Sequence, residues 1–193
     1  VKTRYLALSL LVSMTCGFSA STPDAENTLK QSVGEVIAIA KDSKSPSALR
    51  ESLSPVLMKS ISFDTMTRRA IGPGWRQFTE SQQKEATRLF TTLIIRTYSS
   101  KFTPGELPEI SYKTPQYPAP GRVEIATKTL YKGSRYEVIY RLEETGGWRI
   151  TDVVIEGASL VANYRTQFDA EFKEGGVDAV LNALKKSVSQ STD

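Results

Sequence analysis

The sequence predicts an α+β fold, an antiparallel sheet of about four strands packed against several helices and enclosing an apolar pocket. Three observations lead to the layered part of that reading. Apolar residues recur at helical spacing through most of the first hundred positions, alternate with period two from Val123 to Glu156, and return to helical spacing after Gly157. The links between the alternating runs, Lys132-Gly133 and Thr145-Gly146-Gly147, are short and contain glycine, which makes the strands hairpins.

Leu29, Val33, Val36, Ile37 and Ala40 place a first helix over Pro23 to Lys41. Ser45-Pro46 starts a second, short helix with Leu49 and Leu53 inward, and Ser54-Pro55 starts a third short segment that ends near Ile61. Phe63 to Ile71 is another helix, stopped by Gly72-Pro73-Gly74, a break that aims Trp75. Thr79 followed three residues later by Gln82 is a capping box. It opens the longest helix, roughly 35 Å at 1.5 Å per residue, with Ala86, Leu89, Phe90, Leu93, Ile94, Tyr98 and Phe102 as its stripe. Lys84, Arg88 and Thr92 form its solvated face.

Five of the nine prolines fall between Pro104 and Pro120, so this passage is extended, with a short strand at Glu109 to Lys113. Three strands follow. Val123, Ile125, Thr127, Thr129 and Tyr131 share one face, and Tyr136, Val138, Tyr140 and Leu142 share a face of the next strand. Trp148, Ile150, Asp152, Val154 and Glu156 share a face of the third, with Val153 and Ile155 opposite. Gly157 ends the sheet. Ser159 to Lys173 is a helix, and Gly175-Gly176 separates it from a last helix with Val177, Val180, Leu181 and Leu184 inward.

Composition narrows the function. Of 193 residues, 39% are hydrophobic and 24% charged, which describes a globular chain. Residues 1–21 read as a signal peptide, leaving 22–193 as a single domain. Val1 stands for an initiator from an alternative start codon, Lys2 and Arg4 form the positive region, and Tyr5 to Met14 the apolar stretch. Small residues at Gly17-Phe18-Ser19 or Ser19-Ala20-Ser21 suit cleavage. Lipid attachment at Cys16 is the alternative, although Ser13-Met14-Thr15 is a poor lead-in for it. Without Lys2 and Arg4 the charge is close to balanced, which gives no nucleic-acid footprint.

The chain has no histidine, and its only cysteine is Cys16. The Ser-His-Asp and Cys-His arrangements and the commonest metal ligand are therefore excluded. Acid–base chemistry falls to carboxylates, of which Asp152 and Glu156 are the obvious pair. Four residues along a strand separates them by roughly 13 Å, against about 5 to 9.5 Å for a glycosidase pair. Solvated or ion-paired roles suit them better. Asp64 reads as a cap of the helix that follows. Gly72-Pro73-Gly74 lacks the lysine and the preceding strand of a phosphate loop. Excess apolar surface on sheet and helices either packs solid or encloses a pocket, and periodicity does not separate the two.

A resemblance does. Phe63-Asp64-Thr65-Met66-Thr67-Arg68-Arg69-Ala70-Ile71-Gly72-Pro73-Gly74-Trp75-Arg76 resembles a signature of the MlaC, or toluene-tolerance, family of periplasmic phospholipid carriers. Thr79 to Tyr98 resembles that family's long helix. Trp148-Arg149-Ile150, Asp152 to Gly157, Ser159-Leu160-Val161, Asn163-Tyr164-Arg165 and Gln167-Phe168 resemble its strand-to-helix block. Gly175-Gly176-Val177-Asp178 to Leu184 resembles its closing helix. The blocks come in family order and cover most of the chain after residue 21. The passage from Pro104 to Pro120 and the N-terminal third lie outside the resemblance.

What the resemblance implies is a carrier without catalysis or cofactor, whose cargo is a phospholipid held by its acyl tails. It implies lipid transport that maintains outer-membrane lipid asymmetry, with an outer-membrane lipoprotein complex and an inner-membrane ABC transporter complex as partners. By face, the lipid-binding lining is Met66, Ile71, Phe90, Ile94 and Tyr98 from helices, Val138, Tyr140, Ile150 and Val154 from the sheet, and Leu160, Tyr164 and Phe168 beyond Gly157. Arg165 either meets a phosphate near the mouth or pairs with a structural carboxylate. A hopanoid-type cargo and a cone-shaped hydrolase or isomerase using Asp152 or Glu156 remain as alternatives, as does an interaction module with a solid core.

Overall fold

The structure, a computed structural model, describes residues 24–190; the expected signal peptide lies outside them. Five helices and a six-stranded antiparallel sheet make an α+β fold. Helix α1 spans Ala25–Asp42 and is capped by the Asp24 carboxylate, which accepts from the Glu26 amide. Its N-terminal half buries Ala25 and Leu29 against the sheet, and its C-terminal half buries Ala40 against the next helix.

Helix α2 runs unbroken over Pro46–Ser60. The sequence predicts a break at Ser54-Pro55, and the structure corrects this. Pro55 is exposed and sits on the outer side of the helix, where the carbonyl that loses its amide donor can turn to water. Helix α3 (Phe63–Ile71) follows a linker at Ile61-Ser62 that bridges to the edge of the sheet, the Ser62 amide donating to Ile150 O at 2.8 Å. Asp64 does not cap α3. It is exposed in the first turn, and the cap position is Ser62, whose hydroxyl donates to Thr65 Oγ1 instead.

A 3-10 turn at Gly72–Gln77 leads into α4 (Glu80–Ser99), which starts with the predicted capping box, the Thr79 hydroxyl and Gln82 side chain each bonding the other's backbone amide. Trp75 stacks on Phe78 at 5.6 Å and packs on the helical core, as the break requires.

The sheet has more strands than the sequence predicts. β1 (Glu109–Tyr112) and β2 (Gln116–Ala119) share one edge of β3 (Arg122–Tyr131). β4 (Ser134–Glu144), β5 (Trp148–Ile155) and the two-residue β6 (Ala158–Ser159) follow in order on the other side. β2 holds Pro118 on an edge with irregular register, where a missing amide breaks no ladder. Lys132-Gly133 and Glu156-Gly157 both take positive φ at both positions, the geometry of tight two-residue hairpins.

One correction changes which residues share a face. Arg141 opposes Asp152 while Leu142 opposes Ile150, so Thr151 is an extra residue, a bulge. Trp148 and Ile150 therefore lie on the face of Val153 and Ile155, and Asp152 and Val154 lie on the opposite face. A uniform period of two puts Ile150 with Asp152 and Val154, and the bulge overturns it.

Helix α5 (Leu160–Gln190) completes the fold. It is broken where the glycines predict, with non-helical backbone at Gly175 and Gly176. The helical core gathers α3, α4 and α5 around Phe90, Met66, Ile71, Phe168, Val180 and Leu184. A second cluster joins α1 to the sheet through Leu29, Val123, Ile125, Leu142 and Ile150, and a third joins α1 to α2 through Ala40, Leu49 and Leu53. Ile61 packs against both the helical and the sheet clusters, and Leu57 against the helical and α1–α2 clusters.

Candidate functional site

A small domain usually builds one contiguous core with minor satellites. Here the apolar interior is divided: α1 packs with the sheet, α3, α4 and α5 form a cluster of their own, and Ile61 touches both. The inner sheet face carries Val123, Ile125, Thr127, Thr129 and Tyr131 on β3, opposite Leu142, Tyr140, Val138 and Tyr136 on β4. Burial declines along this face. Val123, Ile125 and Leu142 are at most 1% exposed, Tyr140, Val138 and Tyr131 are half-buried, and Tyr136 is 39% exposed. Val153 and Ile155 on β5, also half-buried, extend the same open end. Phe102, from the loop after α4, lies 6.1 Å from the Tyr131 ring, and the Thr103 amide donates to the Tyr131 hydroxyl at 2.8 Å.

Within the helical cluster, α4 and α5 meet through an aromatic triangle. Tyr164 meets Phe90 edge-on at 5.0 Å and stacks on Phe168 at 5.8 Å, with Phe90 to Phe168 at 6.0 Å. Burial, then the charge of Asp152, raises the pKa of Tyr98, and burial with the nearby Tyr98 raises that of Tyr164. On the sheet, burial and then Tyr112 push Tyr140 up to about 12. These hydroxyls stay neutral at any ordinary pH.

The residues expected as lining fall into separate groups. Met66, Ile71, Phe90, Ile94, Leu160 and Phe168 are buried in the helical core, with Tyr98 and Tyr164 half-buried against it. Ile150 is buried in the sheet cluster with Tyr140 packed against it, Val138 is half-buried on the same face, and Val154 is buried on the other face of β5. The half-buried members are Tyr98, Val138, Tyr140 and Tyr164. Sequence reasoning passed over Phe102, Thr129, Tyr131 and Tyr136 at the open end. The signal was present, since the β3 and β4 alternation with a Lys132-Gly133 hairpin fixes which residues face each other.

The expected apolar pocket between sheet and helices is not among the concavities found in the described residues. An open groove of about 600 Å3 lies between α2 and α4, with walls that include Arg50, Ser54, Met58, Thr87, Arg88 and Ile95. A second, about 330 Å3, lies beside Lys113, Gln116, Glu124 and Ile139 on the outer sheet face.

Asp152 and Glu156 have structural partners. Asp152 Oδ1 accepts from the Val153 and Val161 amides at 2.9 and 3.1 Å, and Oδ2 accepts from Ser159 Oγ at 2.7 Å and the Arg141 guanidinium at 3.0 Å. Ser159 Oγ in turn accepts from the Ala162 amide, so the carboxylate clasps the start of α5 to β5. Glu156 is exposed in the β5–β6 turn and accepts from the Glu137 amide. Arg165 pairs with Asp169 at 3.0 Å and donates to Arg69 O at 3.2 Å, the structural one of its two expected roles. Among the described residues no group of His, Cys, Asp and Glu side chains is placed to hold a metal ion, and no helix is long and apolar enough to cross a membrane.

The fold is thus an α+β domain in which Asp152, Glu156 and Arg165, singled out from the sequence, are all engaged in structural bonds. The family model described as MlaC protein matches residues 30–186, and the chain belongs to that family. Among solved structures it is similar to the phospholipid-binding protein from Ralstonia solanacearum, determined in complex with a phospholipid. The two are 26% identical with a TM-score of 0.81, over 88% of this chain and 99% of that one. Against curated proteins the chain finds no match.

Proposed function

We propose that this protein is a periplasmic phospholipid carrier that takes the acyl tails of its cargo between the inner sheet face and the helices. The observation that carries the reading is the structural likeness to a phospholipid complex over nearly the whole described chain. Family membership and the divided interior support it. On this reading Tyr98, Val138, Tyr140 and Tyr164 meet the tails first. Met66, Ile71, Phe90, Ile94, Ile150, Leu160 and Phe168 form the apolar layer behind them, while Val154, expected in the lining, faces the other side of β5 and is left out. Partners are an outer-membrane lipoprotein complex and an inner-membrane ABC transporter, between which lipid is shuttled to maintain outer-membrane asymmetry.

The energetics require a seam of this kind. Two tails of about fifteen methylenes represent roughly 25 kcal/mol of apolar transfer at about 0.8 kcal/mol per group. No polar contact offsets exposing that to water, so the carrier offers an environment as apolar as the membrane. A seam that is closed by half-buried tyrosines and aliphatics keeps water out until the tails replace them. The reading assigns no reaction, and the saturated Asp152 carboxylate supports that.

Extraction of the purified protein with organic solvent and mass spectrometry of the extract tests it. A glycerophospholipid in stoichiometric amount is expected. No lipid, together with failure to take any from vesicles, contradicts the reading, and hopanoid alone contradicts the cargo class.

A further inference from the structure

Among the described residues, four buried threonine and serine hydroxyls share one habit, and a fifth departs from it. Thr67 Oγ1 donates to Phe63 O at 2.7 Å, Ser99 Oγ to Arg96 O at 3.3 Å, Thr127 Oγ1 to Val138 O at 3.1 Å and Thr151 Oγ1 to Arg141 O at 3.4 Å. Thr129 Oγ1 is buried and has no hydrogen-bond partner. A buried hydroxyl left unpaired is costly, and natural structures hold few of them.

The position of this one is informative. Thr129 stands on the inner face of β3, one pair beyond Thr127 toward the open end, opposite Ile110 on one side and Tyr136 on the other. The Thr127 hydroxyl turns to the carbonyl of the residue opposite it. The Thr129 hydroxyl makes no such bond, although its own cross-strand neighbour has the same backbone. It is a donor without an acceptor, on an apolar face, at the level where burial gives way to exposure.

Resting on the phospholipid reading above, we propose that Thr129 is a specificity-determining residue whose hydroxyl donates to an ester carbonyl of the bound lipid. The chemistry fits the depth. Tails occupy the apolar part of the seam and the charged head stays in water, so the glyceryl esters come to rest at the boundary between them. An ester carbonyl is a good acceptor there, and an ether oxygen is a poor one. The side chains that cover the hydroxyl are displaced by the entering tails, which bring the acceptor with them. Thr129 then selects diacyl lipids over dialkyl ones and over polycyclic lipids that carry no ester.

The test loads the full, delipidated chain from vesicles holding equal amounts of dipalmitoyl phosphatidylethanolamine and its dihexadecyl ether counterpart, and counts each bound lipid by mass spectrometry. The wild type is expected to favour the ester about fivefold, equivalent to about 1 kcal/mol for a neutral hydrogen bond. Thr129→Val, which keeps the shape and removes the hydroxyl, is expected to bring the ratio to about one. Thr129→Ser is expected to keep the preference. Equal uptake of the two lipids by the wild type overturns the assignment while leaving the carrier reading intact, and it does so without any variant. A preference unchanged in Thr129→Val also overturns it. Uptake of neither lipid contradicts the carrier reading itself and removes this one with it.

Discussion

The guanidinium of Arg165 lies directly over Gly72, so close that a β-carbon there would sit 2.1 Å from Arg165 Cζ. Gly72 also adopts φ 70° and ψ −139°, a backbone region open essentially to glycine. Arg165 uses the space to reach Arg69 O and Asp169, which locks α5 to the end of α3. Two residues of the family-like blocks, ninety-three positions apart in numbering, are thus one packing unit.

Gly72→Ala is expected to lower stability by about 2–3 kcal/mol, from backbone strain and the displaced guanidinium together. Removing the side chain it meets, in Gly72→Ala with Arg165→Ala, relieves the clash and leaves the strain. The double variant should therefore lose less than the sum of the single losses. Urea unfolding of the four proteins measures this; strict additivity contradicts the contact.

Asp152→Ala strips four donors of their acceptor: the Val153 amide within β5, the Val161 amide and Ser159 hydroxyl at the start of α5, and the Arg141 guanidinium. A loss of about 2–4 kcal/mol follows from leaving buried donors unpaired. Asp152→Asn, which keeps one acceptor oxygen, should lose less. Denaturant midpoints check the order wild type, Asn, Ala. An Asp152→Ala variant as stable as the wild type contradicts the clasp.

Tyr140 gives the fold an alkaline limit. Its hydroxyl ionises near 10 in the unfolded chain and about 12 in the folded one, because burial and then Tyr112 disfavour the phenolate. Between these values the folded state holds a proton that the unfolded state has released, so stability falls as pH rises. Stability from this residue is fully present below pH 10 and is lost between about pH 10 and 12. Tyr140→Phe should flatten part of that fall, read from denaturant midpoints taken every half unit from pH 9 to 12.

Val138 lies half-buried at the point where the sheet face opens, opposite Thr127 and Ile155. Val138→Trp fills the seam proposed for the tails while the core of the sheet at Val123, Ile125 and Leu142 stays as it is. It is expected to reduce co-purifying phospholipid by at least about tenfold with little change in thermal midpoint. Full lipid loading in this variant places the tails elsewhere.

Most of the architecture was legible because it is written in local patterns. The Thr79–Gln82 cap, the hairpin glycines and the breaks at Gly72 and Gly175-Gly176 each act through backbone geometry within a few residues. The misreadings have physical causes. Pro55 reads as a helix start, yet on an exposed face of α2 the chain tolerates the missing bond. The Thr151 bulge has no marker, since threonine is an ordinary strand residue, and it moved Ile150 away from Val154. β2 and β6 are too short to show a period. The candidate site was legible only in part. Alternation reveals which residues face inward, as for Val138 and Tyr140, but how completely a helix covers them depends on packing between segments far apart in sequence. The decline in burial from Val123 to Tyr136 is of that kind, and so is the unpaired hydroxyl of Thr129.

The central claim is that lipid tails lie between the inner sheet face and the helices. A phosphatidylethanolamine with a photoreactive diazirine in one tail, loaded into the full chain, illuminated and mapped by peptide mass spectrometry, tests it most directly. Adducts on peptides containing Val138, Tyr140, Tyr98 or Tyr164 are expected. Adducts confined to Met58 and its neighbours in the α2–α4 groove would contradict it.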